Sequence, residues 1–261
     1  MRNYPKVVPL IIALAGIITI MPQSARAQAI PKSSAIRRMP DGKPDLTGYY
    51  NAETSGANVL GLGGVLIDPS DKKLPYQEWA QAEKNDRGMP HRGYDDPTAH
   101  CFPAGVPRSM YVPSPYQILQ PPGYFLMLFE RMSWRSVPID NGAHLPDNIR
   151  LWQGDSHAHW EGDTLVVDST NFNGKTWLNE AGDVISYAEH VVERFTPTDA
   201  QNITYTATVT DPVVYTKPWT IRMKLTRQDD ELLEIACHED DADLPHLKDV
   251  RDAYRAEHKQ K

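Results

Sequence analysis

From residue 117 to residue 238 the chain runs through one apolar–polar alternation after another, with no helical period between them. Ile203, Tyr205, Ala207 and Val209 alternate with Thr204, Thr206 and Thr208. Trp219, Ile221, Met223 and Leu225 alternate with Thr220, Arg222 and Lys224. A period of two places all apolar members on one face of a strand. Further strands are predicted over 117–120, 124–130, 134–139, 158–160, 164–171, 189–195 and 232–238. Strands that follow one another without crossover helices pair antiparallel. Eight or so of them close most simply into a lipocalin-like barrel or strongly curved sheet, which removes exposed edges.

The remaining segments predict what wraps that sheet. Residues 28–45 are polar and Pro-containing, an N-terminal arm, and a short strand follows over 46–50. A first helix is predicted over 74–84, with Pro75 near its start. Eight prolines between Pro90 and Pro122 exclude helix and central strand, so that stretch should run extended over the surface. A last helix over 243–258 places Leu244, Leu247, Val250 and Tyr254 on one side, to cover an end or flank of the sheet. Residues 46–261 thus read as a single β-rich domain.

Residues 1–27 have the form of a secretory signal. Arg2 and Lys6 precede an apolar run from Val7 to Ile20, and Ala25-Arg26-Ala27 offers small residues before cleavage at Gln28. The run is short for a membrane span; an uncleaved anchor is the alternative. The reading is a periplasmic or secreted protein. Loss of Arg2, Lys6 and Arg26 takes the net charge from −7 to −10. No basic stripe remains for nucleic acid, and an anionic membrane would repel the mature chain. The oligomeric state is not legible. Cys101 and Cys237 are the two cysteines; in an oxidising compartment they pair most simply, with two separately buried thiols as the alternative. Closing a loop of that length contributes roughly 4–5 kcal/mol in the chain-entropy model.

Candidate chemistry gathers around Asp155-Ser-His-Ala-His-Trp-Glu-Gly-Asp163. His157 and His159 share a strand face, and Gly162 can take positive φ in a tight turn before Leu165-Val-Val167 returns. Metal-free acid–base work needs an imidazole oriented by a carboxylate. His159 and His190 are the candidate bases, Glu193 and Glu130 the partner acids, and Arg135 the group that stabilises an anion. Arg108 is an alternative for that last role. The plainer reading is a structural pair of Glu193 with Arg135 or Arg222, because a carboxylate in an apolar strand register is costly to bury alone. No metal is expected; if one binds, His157, His159 and His238 are the ligand candidates. Tyr215, Trp219, Tyr205, Trp160, Arg108 and His144 are the candidate contacts for an aromatic or terpenoid ligand, and the same aromatics fit a plain core. No dinucleotide, P-loop, serine-elbow or calcium-loop motif is present, so no cofactor is implied.

Six motifs come in a fixed order. They are Cys101-Phe-Pro-Ala-Gly-Val-Pro-Arg108, Gln117-Ile-Leu-Gln-Pro-Pro-Gly123, Trp160-Glu-Gly-Asp-Thr-Leu-Val-Val-Asp168, His190-Val-Val-Glu-Arg-Phe195, Asp211-Pro-Val-Val-Tyr-Thr-Lys-Pro-Trp219 and Ala236-Cys-His-Glu239. Over residues 43–240 the chain resembles a large family of secreted β-rich bacterial proteins from acidobacteria and sphingomonads. The resemblance implies export and implies no particular reaction. Where members read Asp-Gly-Arg, this chain has Asn141-Gly-Ala; where they have Gly-Arg before the turn tryptophan, it has Ala158-His159. Two functions of different class remain open. One is an exported enzyme acting on a small hydrophobic molecule by His/Glu acid–base chemistry, as a lyase, isomerase or hydrolase. The other is a non-catalytic binding protein for such a molecule.

Overall fold

The computed structural model describes residues 35–258, apart from 55, 132, 230, 240 and 242, so the signal segment predicted over 1–27 lies outside the described residues. The elements in chain order are β1 (Gly48–Ala52), α1 (Ala57–Leu60), β2 (Leu66–Asp68), α2 (Glu78–Arg87), β3 (Tyr116–Leu119), β4 (Tyr124–Phe129), β5 (Ser133–Pro138), β6 (Asp155–Glu161), β7 (Thr164–Thr170), β8 (His190–Pro197), β9 (Asn202–Thr210), β10 (Trp219–Gln228) and α3 (Asp243–His258).

Nine strands form a nearly closed antiparallel barrel, lipocalin-like, in the order β5-β4-β3-β1-β10-β9-β8-β7-β6, with β2 against β10. The single seam lies between β5 and β6. Two meanders, β3–β5 and β6–β10, are joined by β1, which pairs Tyr50 with Tyr116 on one side and with Arg227 on the other. The alternation puts Phe125, Phe195, Tyr205, Val209, Ile221 and Leu225 inside, all fully buried. Each such side chain contributes about 1.5–3 kcal/mol relative to exposure.

The seam is closed by side chains and loop bonds in place of a ladder. Asn141 N donates to Ala158 O at 3.1 Å, and Gln153 Nε2 donates to Trp134 O at 2.8 Å. Inside, Arg135 of β5 reaches Ser156 of β6 at 3.2 Å and Ser169 of β7 at 3.3 Å.

Three expectations need correction. The Pro-rich stretch does not run extended over the surface: it forms tight helical turns at Pro90–Asp95, Pro97–His100 and Arg108–Met110. Pro90 and Pro97 open the first two, where the missing N–H costs nothing. Val106, Arg108, Met110 and Tyr111 are buried and plug the barrel end that carries Tyr116, Trp219 and His190. The strand expected over 232–238 is irregular chain ending in a turn. β10 already has partners on both edges, and Leu233 and Ile235 are exposed. The last helix packs on Pro90–Asp95 rather than on the sheet, with His91 stacked on Tyr254 at 3.6 Å.

Smaller shifts have local causes. The helix expected over 74–84 begins at Glu78, because Thr216 N donates to Pro75 O and Gln77 N to Val214 O, both at 2.8 Å, which ties residues 75–77 to 214–216 in extended form. The described part of the N-terminal arm is fastened: Arg38 makes two bonds to the Asp163 carboxylate, at 2.9 and 2.7 Å. Cys101 and Cys237 are disulfide-bonded, with Cα atoms 5.8 Å apart. No helix among the described residues is long and apolar enough to cross a membrane.

Candidate functional sites on and in the barrel

Because side chains alternate between faces, the barrel wall sorts the candidate residues into groups that cannot meet. Glu193 and Arg135 project inward. Arg135 donates to Glu193 Oε2 at 2.7 Å and to Oε1 at 3.1 Å, and Tyr205 OH donates to Oε1 at 2.9 Å. Burial, then the Glu193 charge, holds the Tyr205 phenol well above its usual range. Breaking a pair buried this deeply costs about 3–5 kcal/mol, because one charge stays uncompensated.

His159 and His190 project outward. His159 lies 3.2 Å from Glu161 at the surface, and His190 Nε2 lies 3.0 Å from both oxygens of Asp168. The wall of the barrel therefore separates both candidate bases from Glu193 and Arg135. This corrects the expected constellation, since the odd spacing from His190 to Glu193 along β8 sends Glu193 inward with Val191 and His190 outward with Val192. Glu130 belongs to neither group: it accepts from Leu233 N at 3.2 Å beside the C-terminal segment.

The ligand-contact candidates divide in the same way. Tyr205, Tyr215 and Trp219 are core residues; Tyr215 OH donates to Val184 O at 2.6 Å, and its ring meets Trp219 edge-on at 5.5 Å. Trp160 sits half-buried at the opposite end of the barrel, with the Lys43 ammonium 5.8 Å above its ring. Arg108 lines the floor of a cleft at the plugged end. Its guanidinium bonds Asp96 twice, at 2.9 and 2.8 Å, and Asn58 at 3.0 Å. Phe102, Val112 and Phe129 form apolar walls, Arg131 and Ser133 the rim, and the Cys101–Cys237 disulfide one flank. The cleft's enclosed space is about 60 Å³; the figure of about 620 Å³ counts all the space between its walls, open solvent included.

His144 falls with His157 on the outer surface. Asp155 Oδ2 lies 3.0 Å from His144 Nδ1 and 3.7 Å from His157 Nε2. The other nitrogens face carboxylates as well: His144 Nε2 is 2.9 Å from Asp168 Oδ1, and His157 Nδ1 is 2.7 Å from Asp140 Oδ1. The His157 bond and the Gly142 N–H hold the Asp140 carboxyl below its usual range. Of the expected metal candidates, His157 alone is in this group; His159 is occupied by Glu161, and His238 is exposed in the turn beside the disulfide.

Two local structures place the group. A two-residue turn at Gly162-Asp163 sets Glu161 opposite Thr164 and hence His157 opposite Asp168. Asn171 takes φ +58, which Asn tolerates. Its amide donates to Leu145 O, Pro146 O and Ile149 O at 3.0–3.1 Å, pinning the loop that carries His144.

Asp140, Asp155 and Asp168 were not singled out from the sequence, although the turn register alone pairs Asp168 with His157. Glu189 was also missed. It continues the inward phase of β8, is 2% exposed, and neither carboxyl oxygen has a hydrogen-bond partner among the described residues. Burial, then the charges of Asp211 and Glu193, raises it well above the usual carboxylate range.

The fold and these sites define an antiparallel barrel with a filled interior and polar groups concentrated at one mouth and one outer face. No family model, curated protein or solved structure matches the chain.

Proposed function

We propose that this is an exported binding protein for a small, largely apolar molecule with an acidic end, held in the cleft beside the disulfide. The observation that carries this reading is the cleft itself, lined by Phe102, Val112 and Phe129 together with one guanidinium, Arg131, and one carboxylate, Glu180, which accepts from Asn58 Nδ2 at 2.9 Å. Its enclosed space is only about 60 Å³, so it takes one end of a ligand while the rest lies in the open mouth. Arg131 makes no ion pair among the described residues; its Nε donates only to Ser114 Oγ, at 3.3 Å. That guanidinium is available to a ligand carboxylate or sulfonate, and Phe102, 48% exposed with one ring face stacked on Trp152 at 4.6 Å, adds apolar surface to the cleft.

Binding is favoured over acid–base catalysis because His159 and His190 lie across the wall from Glu193. A periplasmic or secreted location fits the disulfide, which persists in oxidising compartments.

Anilinonaphthalene sulfonate, apolar with one anionic group, is a suitable fluorescent probe. Saturable binding should weaken about tenfold in Phe102→Ala and in Arg131→Ala, the loss of one good contact each. Trp134→Ala, 65% exposed on the outside of β5, should leave it unchanged. Equal binding by all four proteins would overturn the assignment of the cleft.

A further inference from the structure

The geometry points to a divalent transition-metal site on the outer face of the barrel, with His144 Nδ1, Asp155 Oδ2 and His157 Nε2 as ligands and Zn²⁺ as the ion of the right class. The site is independent of the cleft and lies outside the barrel interior.

The ligand atoms already stand at coordination spacing. Two ligands about 2.0–2.1 Å from a tetrahedral zinc are roughly 3.4 Å apart. The observed separations of 3.0 and 3.7 Å to Asp155 Oδ2 straddle that value. One potential ligand atom from each of the three residues lies within 4.8 Å of the other two.

The second observation concerns the opposite sides of the rings. Zinc-bound histidines usually give their other N–H to a carboxylate, which fixes the tautomer and raises ligand basicity. Here both outer nitrogens face a carboxylate: Asp168 lies 2.9 Å from His144 Nε2 and Asp140 2.7 Å from His157 Nδ1, while Leu145 N orients Asp155 by donating to Oδ2 at 2.9 Å. His190, 3.0 Å from Asp168, extends the backing by one more residue. A pair of imidazoles with one carboxylate selects zinc-like ions over Mg²⁺ and Ca²⁺, which prefer all-oxygen shells.

Exposure leaves room for the ion's remaining ligands. The side chains of His144, Asp155 and His157 are 25%, 16% and 16% exposed. Three protein ligands with the solvent side open is the arrangement of zinc sites that retain a bound water.

Calorimetric titration of the full chain with Zn²⁺ tests this directly. The expected result is saturable binding of one ion per chain, weakened about 100-fold or more in His144→Ala and His157→Ala, and about 10–100-fold in Asp140→Asn, which removes only the backing carboxylate. His159→Ala, on the same face but outside the group, should bind as the unaltered chain does. All four side chains point away from the core, and circular dichroism verifies that the variants keep the barrel. Absence of saturable binding, or affinity that falls with His159→Ala and survives His144→Ala and His157→Ala, would overturn the site.

Discussion

Glu189 shows how one residue escapes pattern reading. The alternation of Glu189, Val191, Glu193 and Phe195 assigns all four to the barrel interior, and a carboxyl there must be paired or neutral. Glu193 is paired, with Arg135 and Tyr205; Glu189 is not, so its raised pKa keeps it protonated where an exposed glutamate would ionise. The unfolded chain gives up that proton near its ordinary value of 4.5, whereas the folded chain retains it to higher pH. Between those values the folded state holds more protons, so this residue makes stability fall as pH rises. Glu189→Gln should therefore be more stable than the unaltered chain above about pH 5, by a margin that first grows at about 1.4 kcal/mol per pH unit. Urea unfolding of both proteins from pH 4 to pH 8 measures the margin; a difference independent of pH would place an ionised carboxylate at this position. The strand predicted over 189–195 already puts Glu189 in phase with Val191 and Glu193; what the sequence does not show is that Arg135 reaches Glu193 and leaves Glu189 without a hydrogen-bond partner among the described residues.

At the scale of elements, the long strands were legible, whereas the short β2, the irregular chain over 232–238 and the segments between strands were not. Residues 203–209 and 219–225 alternate so strictly that their inward and outward faces follow from the sequence alone. The loop from β5 to β6 has no such period, and its conformation comes from single contacts: Asn141 at φ +50, the Asn171 amide, and the close approach of Gly142 to His157. A Cβ at Gly142 would stand 2.8 Å from the His157 ring and 3.1 Å from Asp140 Oδ1. Gly142→Ala should therefore turn His157 from its bond with Asp140 and weaken Zn²⁺ binding about tenfold or more, as loss of a backing partner does. Thermal unfolding of the same variant should change little, because the strain falls on an outer loop. Unchanged Zn²⁺ affinity would show that His157 is free to move. The Pro-rich stretch was misread for a related reason. Proline excludes a regular helix interior, and it is equally at home at the first position of the short turns Pro90–Asp95 and Pro97–His100; the buried turn Arg108–Met110 follows Pro107.

At the scale of the molecule, antiparallel closure follows from serial strands, but the joining of two meanders by β1 does not. That pairing brings residues 48–52 beside residues 225–228, far away in sequence, and no local pattern encodes it. Closure also decides which candidates can cooperate. The interior is occupied by Phe125, Phe195, Tyr205 and the Arg135–Glu193 pair, while the cleft and the histidine group lie at one mouth and on one outer face. Backbone amide NMR with a stepwise addition of anilinonaphthalene sulfonate distinguishes a filled interior from a binding lumen most directly. A filled barrel with a ligand cleft predicts the largest shift changes over residues 101–104, 112–115 and 129–133, with 191–195 and 203–207 little altered. The largest changes at Glu193 and Tyr205, with residues 101–104 unmoved, would contradict it and return the function to the interior.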